Sequence, residues 1–155
     1  MKEVFALYRK LRDRQLKLLN SFTPEELATI PAGFKNNILW NIAHCVVTQQ
    51  LYCYANSDLP TYLSDDFIAK YRKGTVPDGH IPTAAEIEEV RSLMFSTLDH
   101  LEADYAKGIF KHYNHYLTGI EYPLTNIDEA IYFNISHEGV HLGSVLALKC
   151  AIAKK

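Results

Sequence analysis

The chain has 155 residues, of which 48% are hydrophobic and 22% are charged. This length and composition are typical of one soluble globular domain over residues 1–155, and they exclude intrinsically disordered and collagen-like classes. The formal net charge of −2 provides no basic field for a nucleic-acid backbone, so we expect no nucleic-acid partner.

Four long helical patterns follow one another along the chain. Hydrophobic residues recur in them at intervals of three and four, as on one face of a helix. The patterns cover residues 2–20, 36–55, 83–107 and 125–153. In the first, the residues at these intervals are Val4, Leu7, Leu11, Gln15 and Leu18, which predicts a helix. The third begins with Thr83 and Glu86, a capping box.

The connections between these patterns are of different lengths. Thr23 and Glu26 predict a short capped helix after the first pattern. Residues 56–82 are irregular, with several prolines and glycines and a candidate short helix from Ser64, and residues 108–124 form a loop with some extended structure. Strand signals are almost absent, so we predict an all-α fold. The expected architecture is a four-helix bundle with a long crossover between the second and third long helices.

Two histidines on the predicted fourth long helix suggest chemistry. His137 and His141 are separated by one helical turn and about 40° around the axis, so both imidazoles can bind one metal ion. With Glu138 they match the HExxH pattern of zinc peptidases. The extended form of that pattern needs Gly and His where this chain has Ser144 and Ala147. No Glu, Asp or His follows the pair, so a third protein ligand must come from upstream.

His44 is the best upstream candidate. It lies within a hydrophobic stripe of the second long helix, among Trp40, Val47 and Leu51, which should face the core. A histidine there faces either a buried polar partner or a metal, and bundle metal sites are built from inward-facing side chains. With the later pair it would form a three-histidine site with open positions. Cys45 points about 100° away from His44, so we expect it to pack in the core.

The sequence resembles the DinB-like family, metal-binding four-helix proteins grouped with YfiT-type thiol transferases. The resemblance rests on residues 37–44 (Asn-Ile-Leu-Trp-Asn-Ile-Ala-His) and 136–143 (Ser-His-Glu-Gly-Val-His-Leu-Gly), and on the order of elements along nearly the whole chain. The family places one ligand on its second helix and an HxxxH pair on its fourth. This implies His44, His137 and His141 as the metal ligands.

The resemblance also implies cofactor, partner and activity. It implies a divalent metal, nickel or zinc before iron or manganese, and a homodimer. Members with known activity transfer low-molecular-weight thiols such as bacillithiol, or isomerise or hydrolyse small substrates. We therefore expect a small-molecule substrate and a thiol transferase or hydrolase. Members often carry Arg and Gln at the places of Leu142 and Ser144, so substrate contacts by those side chains are not expected here.

Several alternatives stay open at this point. The same fold carries a structural metal if the protein is a non-catalytic stress-response or dimerisation module. Glu138 either acts as a base, or holds a water molecule at the metal, or only neighbours the ligands. His112 and His115 either line the mouth of the site or are exposed loop residues. A di-iron carboxylate centre needs two Glu-x-x-His motifs, and this chain provides one. Haem binding by two histidines lacks an attachment motif.

The cysteines and the N-terminus indicate the cellular compartment. Cys45, Cys53 and Cys150 are too few and too uneven for a disulfide framework. The chain shows no apolar signal core, and no stretch is apolar enough to span a bilayer. We therefore expect a cytoplasmic protein with no membrane partner.

Overall fold

The computed structural model describes residues 1–153, which are mostly helical. The helices of this region are α1 (Lys2–Leu19), α2 (Pro24–Ala28), α3 (Ile38–Cys53), α4 (Asp65–Tyr71), α5 (Ala84–Lys107) and α6 (Ile127–Ile152). A 3-10 turn spans Ala55–Ser57, and strands β1 (Tyr116–Leu117) and β2 (Pro123–Leu124) form an antiparallel hairpin. The hairpin lies in the loop where some extended structure was expected.

Side-chain caps begin the helices where the sequence predicts them. The Thr83 hydroxyl accepts from the Glu86 backbone N–H at 3.2 Å, and the Glu86 carboxylate accepts from the Thr83 backbone N–H at 2.9 Å. Thr23 and Glu26 form the same capping box at α2. Helix α5 ends at Gly108, whose φ of 65° is a left-handed conformation that glycine adopts at little cost.

The two helices with the most extensive mutual contact, α3 and α6, run antiparallel. Near one end of the pair, Asn41 lies 2.8 Å from His141; near the other, the Asn134 side chain donates to the Cys53 sulfur at 3.8 Å. This arrangement sets the middle of α6 against the N-terminal half of α3.

Helices α3 and α5 are parallel, which explains the long connection between them. Gln49 donates to the Thr97 carbonyl at 3.3 Å, and Tyr54 donates to Asp104 at 3.0 Å. Because the chain must return from the end of α3 to its beginning, it needs a crossover connection. Residues 54–83, which contain α4, provide it.

The core contains a polar layer between two hydrophobic clusters. One cluster surrounds Trp40 and Val46, and the other surrounds Phe5 and Leu101. Between them, every long helix contributes buried polar side chains. These are Arg12, Gln15, Thr48, Gln49, Gln50, Thr97, Asn134 and Glu138. The candidate site lies at the α3–α6 edge of this layer.

Within residues 1–153, none of the helices combines the length and the apolar character needed to cross a membrane.

Candidate metal centre

Three histidines from two helices converge at one point. His44 comes from α3, and His137 and His141 come from successive turns of α6. Each offers a ring nitrogen, and these nitrogens all lie within 4.8 Å of one another. The Nε2 atoms of His137 and His141 are 3.2 Å apart, and the His44 ring centroid lies 4.8 Å from that of His141. The structure thus brings together the three residues that the sequence singled out.

Hydrogen bonds fix the orientation of two of the rings. The Nδ1 of His44 lies 2.7 Å from the Tyr71 carbonyl oxygen, and the Nδ1 of His141 lies 2.8 Å from Asn41 Oδ1. The Asn41 amide nitrogen donates to the Asn37 carbonyl at 2.7 Å, which turns its oxygen towards His141. Since carbonyl oxygens only accept, both Nδ1 atoms carry the proton. Their Nε2 atoms are then unprotonated and carry the lone pairs that a metal ligand needs.

The third ring has an unsatisfied nitrogen. His137 Nδ1 is buried and makes no hydrogen bond within the described residues, while its Nε2 faces that of His141. The Nε2 of His44 accepts from the Thr48 hydroxyl at 3.2 Å, in agreement with an unprotonated nitrogen. With the proton on Nε2, His137 donates a hydrogen bond to His141; with the proton on Nδ1, its Nε2 lone pair points to the same place as that of His141. Three imidazole nitrogens that converge in this way are a donor set that fits a divalent metal ion.

Burial keeps the three rings neutral. It lowers the pKa of His137 to about 3, with a further contribution from His141 and His44. It lowers the pKa of His141 to about 4, again with a contribution from His44. Burial also lowers the pKa of His44, although the bond to the Tyr71 carbonyl opposes this shift. All three histidines are thus unprotonated at neutral pH, the form that binds metals.

Trp40 forms one wall of the site. Its ring stacks on His44, with centroids 4.5 Å apart and planes 9° apart. Its indole N–H donates to the Thr75 hydroxyl at 2.9 Å. Trp40 is buried, as its place in the α3 stripe predicts. The stacked indole shields His44 from water and restricts its rotation.

A second aromatic wall stands beside His137. The centroids of Tyr52 and Phe133 lie 6.4 and 6.5 Å from that of His137. Tyr52 in turn packs on Tyr116 of the hairpin at 5.1 Å. The loop between α5 and α6 thus reaches the site through its strand β1.

Comparison with known proteins agrees with this architecture. A family model described as the DinB superfamily matches residues 7–145. The chain belongs to the DinB superfamily. This confirms the family resemblance, and this superfamily generally binds metals. No curated protein matches the sequence.

A solved structure shares the fold of this DinB superfamily protein. It is a crystal structure titled as the conserved protein of a locus from Enterococcus faecalis, with a TM-score of 0.72 and 13% sequence identity. The similarity covers 99% of this chain and 97% of that chain. At this level of identity, the comparison shows the fold alone.

Glu138, for which the sequence left three roles open, lies in the core of this DinB superfamily protein. Its side chain has no exposed surface, and Arg12 Nη2 donates to it at 2.7 Å. The other Arg12 nitrogens donate to it at 3.1 Å, to Thr97 at 3.0 Å and to the Met94 carbonyl. The Glu138 carboxylate is thus the hydrogen-bonding and charge partner of Arg12. Sequence reasoning missed Arg12; the structure places it one helical turn after Tyr8, which is also buried.

The remaining candidates lie outside the histidine group. His112 and His115 are exposed, and His112 Nε2 lies 2.9 Å from the Asn114 side chain. Cys45 is buried, and the Gln15 amide donates to its sulfur at 3.7 Å. Cys45 thus packs in the core, as expected.

Proposed function

We propose that this protein binds a divalent metal ion through His44, His137 and His141 and acts on a small molecule as a thiol transferase or hydrolase. The observation that carries the proposal is the convergence of three neutral imidazoles from α3 and α6. Three protein ligands leave coordination positions open, which is typical of catalytic sites. Imidazole ligands suit nickel and zinc, the two metals proposed first, as well as iron; manganese prefers oxygen ligands.

Residues around the three histidines have separate roles at such a site. When bound, a divalent ion supplies Lewis acidity, which lowers the pKa of a coordinated water or thiol towards neutrality. Asn41 and the Tyr71 carbonyl hold the histidine rings in the ligating tautomer. Trp40 and Tyr52 exclude bulk water from the rings, which strengthens electrostatic interactions there.

The proposal takes the four long helices as a four-helix bundle, the arrangement expected from the sequence. Contacts of α3 with α6 and α5, and of α1 with the same two helices, support a closed ring of four. In this arrangement the metal ligands come from facing helices, which is how bundles build metal sites.

A non-catalytic metal-binding module is the second candidate, and one observation favours it. The group of candidate ligands in residues 1–153 consists of three histidines, and Glu138 is held by Arg12. A catalytic site would need a base from another residue, from the substrate or from solvent.

The proposal also includes a cytoplasmic homodimer whose substrate is a small molecule, in particular a low-molecular-weight thiol. Three large apolar side chains exposed on α6, those of Tyr132, Val140 and Leu146, support the dimer. Light scattering of the purified protein measures its mass, and a monomeric mass at micromolar concentration would contradict this part of the proposal.

The open coordination positions are tested with cobalt-substituted protein. Addition of 2-mercaptoethanol should produce a sulfur-to-cobalt charge-transfer band if a thiol binds the metal. His141→Ala, which lacks a ligand, should show no such band at the same cobalt concentration. A cobalt spectrum that thiols and carboxylates leave unchanged would favour the non-catalytic module.

A further inference from the structure

A pocket of about 260 Å³ lies between the start of α3, helix α4 and the segment that follows α4. Its lining is mainly apolar and includes Leu39, Trp40, Ala69, Tyr71, Val76 and Pro82. The three histidines of the candidate metal centre are not part of this lining. The pocket is therefore a separate space that shares residues with the surroundings of the centre.

Two lining residues hold His44 in place. Trp40 stacks on the His44 ring, and the Tyr71 carbonyl oxygen lies 2.7 Å from its Nδ1. Thr75, also in the lining, accepts the Trp40 indole N–H. A molecule in the pocket would thus touch the groups that orient His44 without touching His44 itself.

The polar groups of the lining already have partners. Lys70 Nζ and His80 Nε2 both contact the Glu86 carboxylate, at 2.8 and 2.9 Å. Asp78 accepts from the His80 backbone N–H at 2.9 Å. Since Lys70 and His80 contact the Glu86 carboxylate and Asp78 accepts from a backbone N–H, these groups are not directed towards a charged ligand. The chemistry of the pocket suits an uncharged molecule bound by apolar contact.

We propose that this pocket binds a small, uncharged, largely apolar molecule of one or two rings, and that its occupancy is coupled to His44 through Trp40 and Tyr71. The size follows from the volume, because an apolar cavity of about 150 Å³ is large enough for benzene. The coupling to His44 rests on the proposed metal site, whereas the binding of a molecule in the pocket does not.

The chain's only tryptophan, Trp40, reports on binding directly. The probe is 4-bromobenzyl alcohol, whose bromine quenches indole fluorescence on contact. The wild-type protein should show saturable quenching. Ala69→Phe fills the pocket from an exposed position on α4 and should weaken the apparent affinity at least about tenfold, a loss of about 1.4 kcal/mol.

Ala103→Phe is the matched control, because Ala103 is exposed on α5 and does not line the pocket. The probe should quench the fluorescence of Ala103→Phe as it does that of the wild type. Circular dichroism should show that both variants are folded. Quenching that rises linearly without saturation, or that saturates equally in Ala69→Phe, would overturn the binding proposal.

Coupling is measured as the cobalt affinity with and without saturating probe. We expect a change of about fivefold, at the lower end of typical coupling between sites. Saturable quenching with an unchanged cobalt affinity would overturn the coupling and leave pocket binding standing. Failure of the protein to bind cobalt would contradict the proposed metal site and therefore also the coupling. The quenching experiment would still show whether the pocket binds the probe.

Discussion

Arg12 and Glu138, 126 residues apart in the chain, form an ion pair in which neither side chain has exposed surface. Burial alone would lower the pKa of Arg12, but attraction to Glu138 outweighs this and raises it, so the guanidinium stays charged. The pair joins α1 to α6 one residue away from His137. It therefore fixes the position of the helix that carries two of the three histidines.

Removal of Glu138 should destabilise the fold strongly. Glu138→Ala leaves the Arg12 charge buried without a partner, which costs about 3–5 kcal/mol. Urea denaturation of the metal-free protein measures the loss. The double variant Arg12→Met/Glu138→Met removes both charges and should lose less. A Glu138→Ala variant about as stable as the wild type would contradict the burial of this pair.

Removal of the Asn41 side chain should have a larger effect on the metal affinity than on the free energy of unfolding. Asn41→Ala deletes the acceptor that holds His141 Nδ1, and loss of such an orienting partner typically costs about 10- to 100-fold in metal affinity. Competition with a chromophoric zinc chelator measures the affinity. Asn41→Asp keeps an acceptor at the same place and should retain most of it. Equal zinc affinity in Asn41→Ala and wild type would argue against this orienting role.

The metal-free protein should lose stability as the pH falls below about 6.5. The pKa values of His137 and His141 are about 3 and about 4 when folded, both below the unfolded value. Between these limits the unfolded chain binds more protons, so acid favours unfolding. The loss should be about 1 kcal/mol for each histidine between pH 7 and pH 5.5.

Chemical denaturation in the presence of a chelator tests this pH dependence. His137→Gln replaces one titrating ring by a neutral side chain, so its stability should fall less steeply with acid. A wild-type protein whose unfolding free energy is constant or rises from pH 7 to pH 5.5 would show that the rings are not buried in neutral form.

Much of the fold was predictable because local signals determine the helix ends. Thr23, Ser64 and Thr83 each cap the helix that the sequence placed after them. The periodic residues of α1 are buried only in part: Gln15 and Leu18 are buried, but Leu7 is 53% exposed. Arg12, outside that pattern, is fully buried. Periodicity places residues around a helix, but it does not reveal that an arginine finds a partner on a distant helix.

The three histidines that converge in the structure were predictable from the sequence, whereas the groups that orient them were not. His137 and His141 follow from helical spacing, and the stripe on α3 indicated His44. The Tyr71 carbonyl that orients His44 is a backbone atom, which no residue pattern marks. The side-chain partner of Glu138 likewise depends on how α1 packs against α6, which only the structure shows.

Elemental analysis of the purified protein tests the central claim most directly. Wild type should contain about one divalent metal ion per chain, as a three-histidine site binds one. His112→Ala, which removes an exposed histidine outside the group, should contain the same amount. His44→Ala and His141→Ala should each contain little or none. Metal that stays stoichiometric in both of these variants would contradict the three-histidine site.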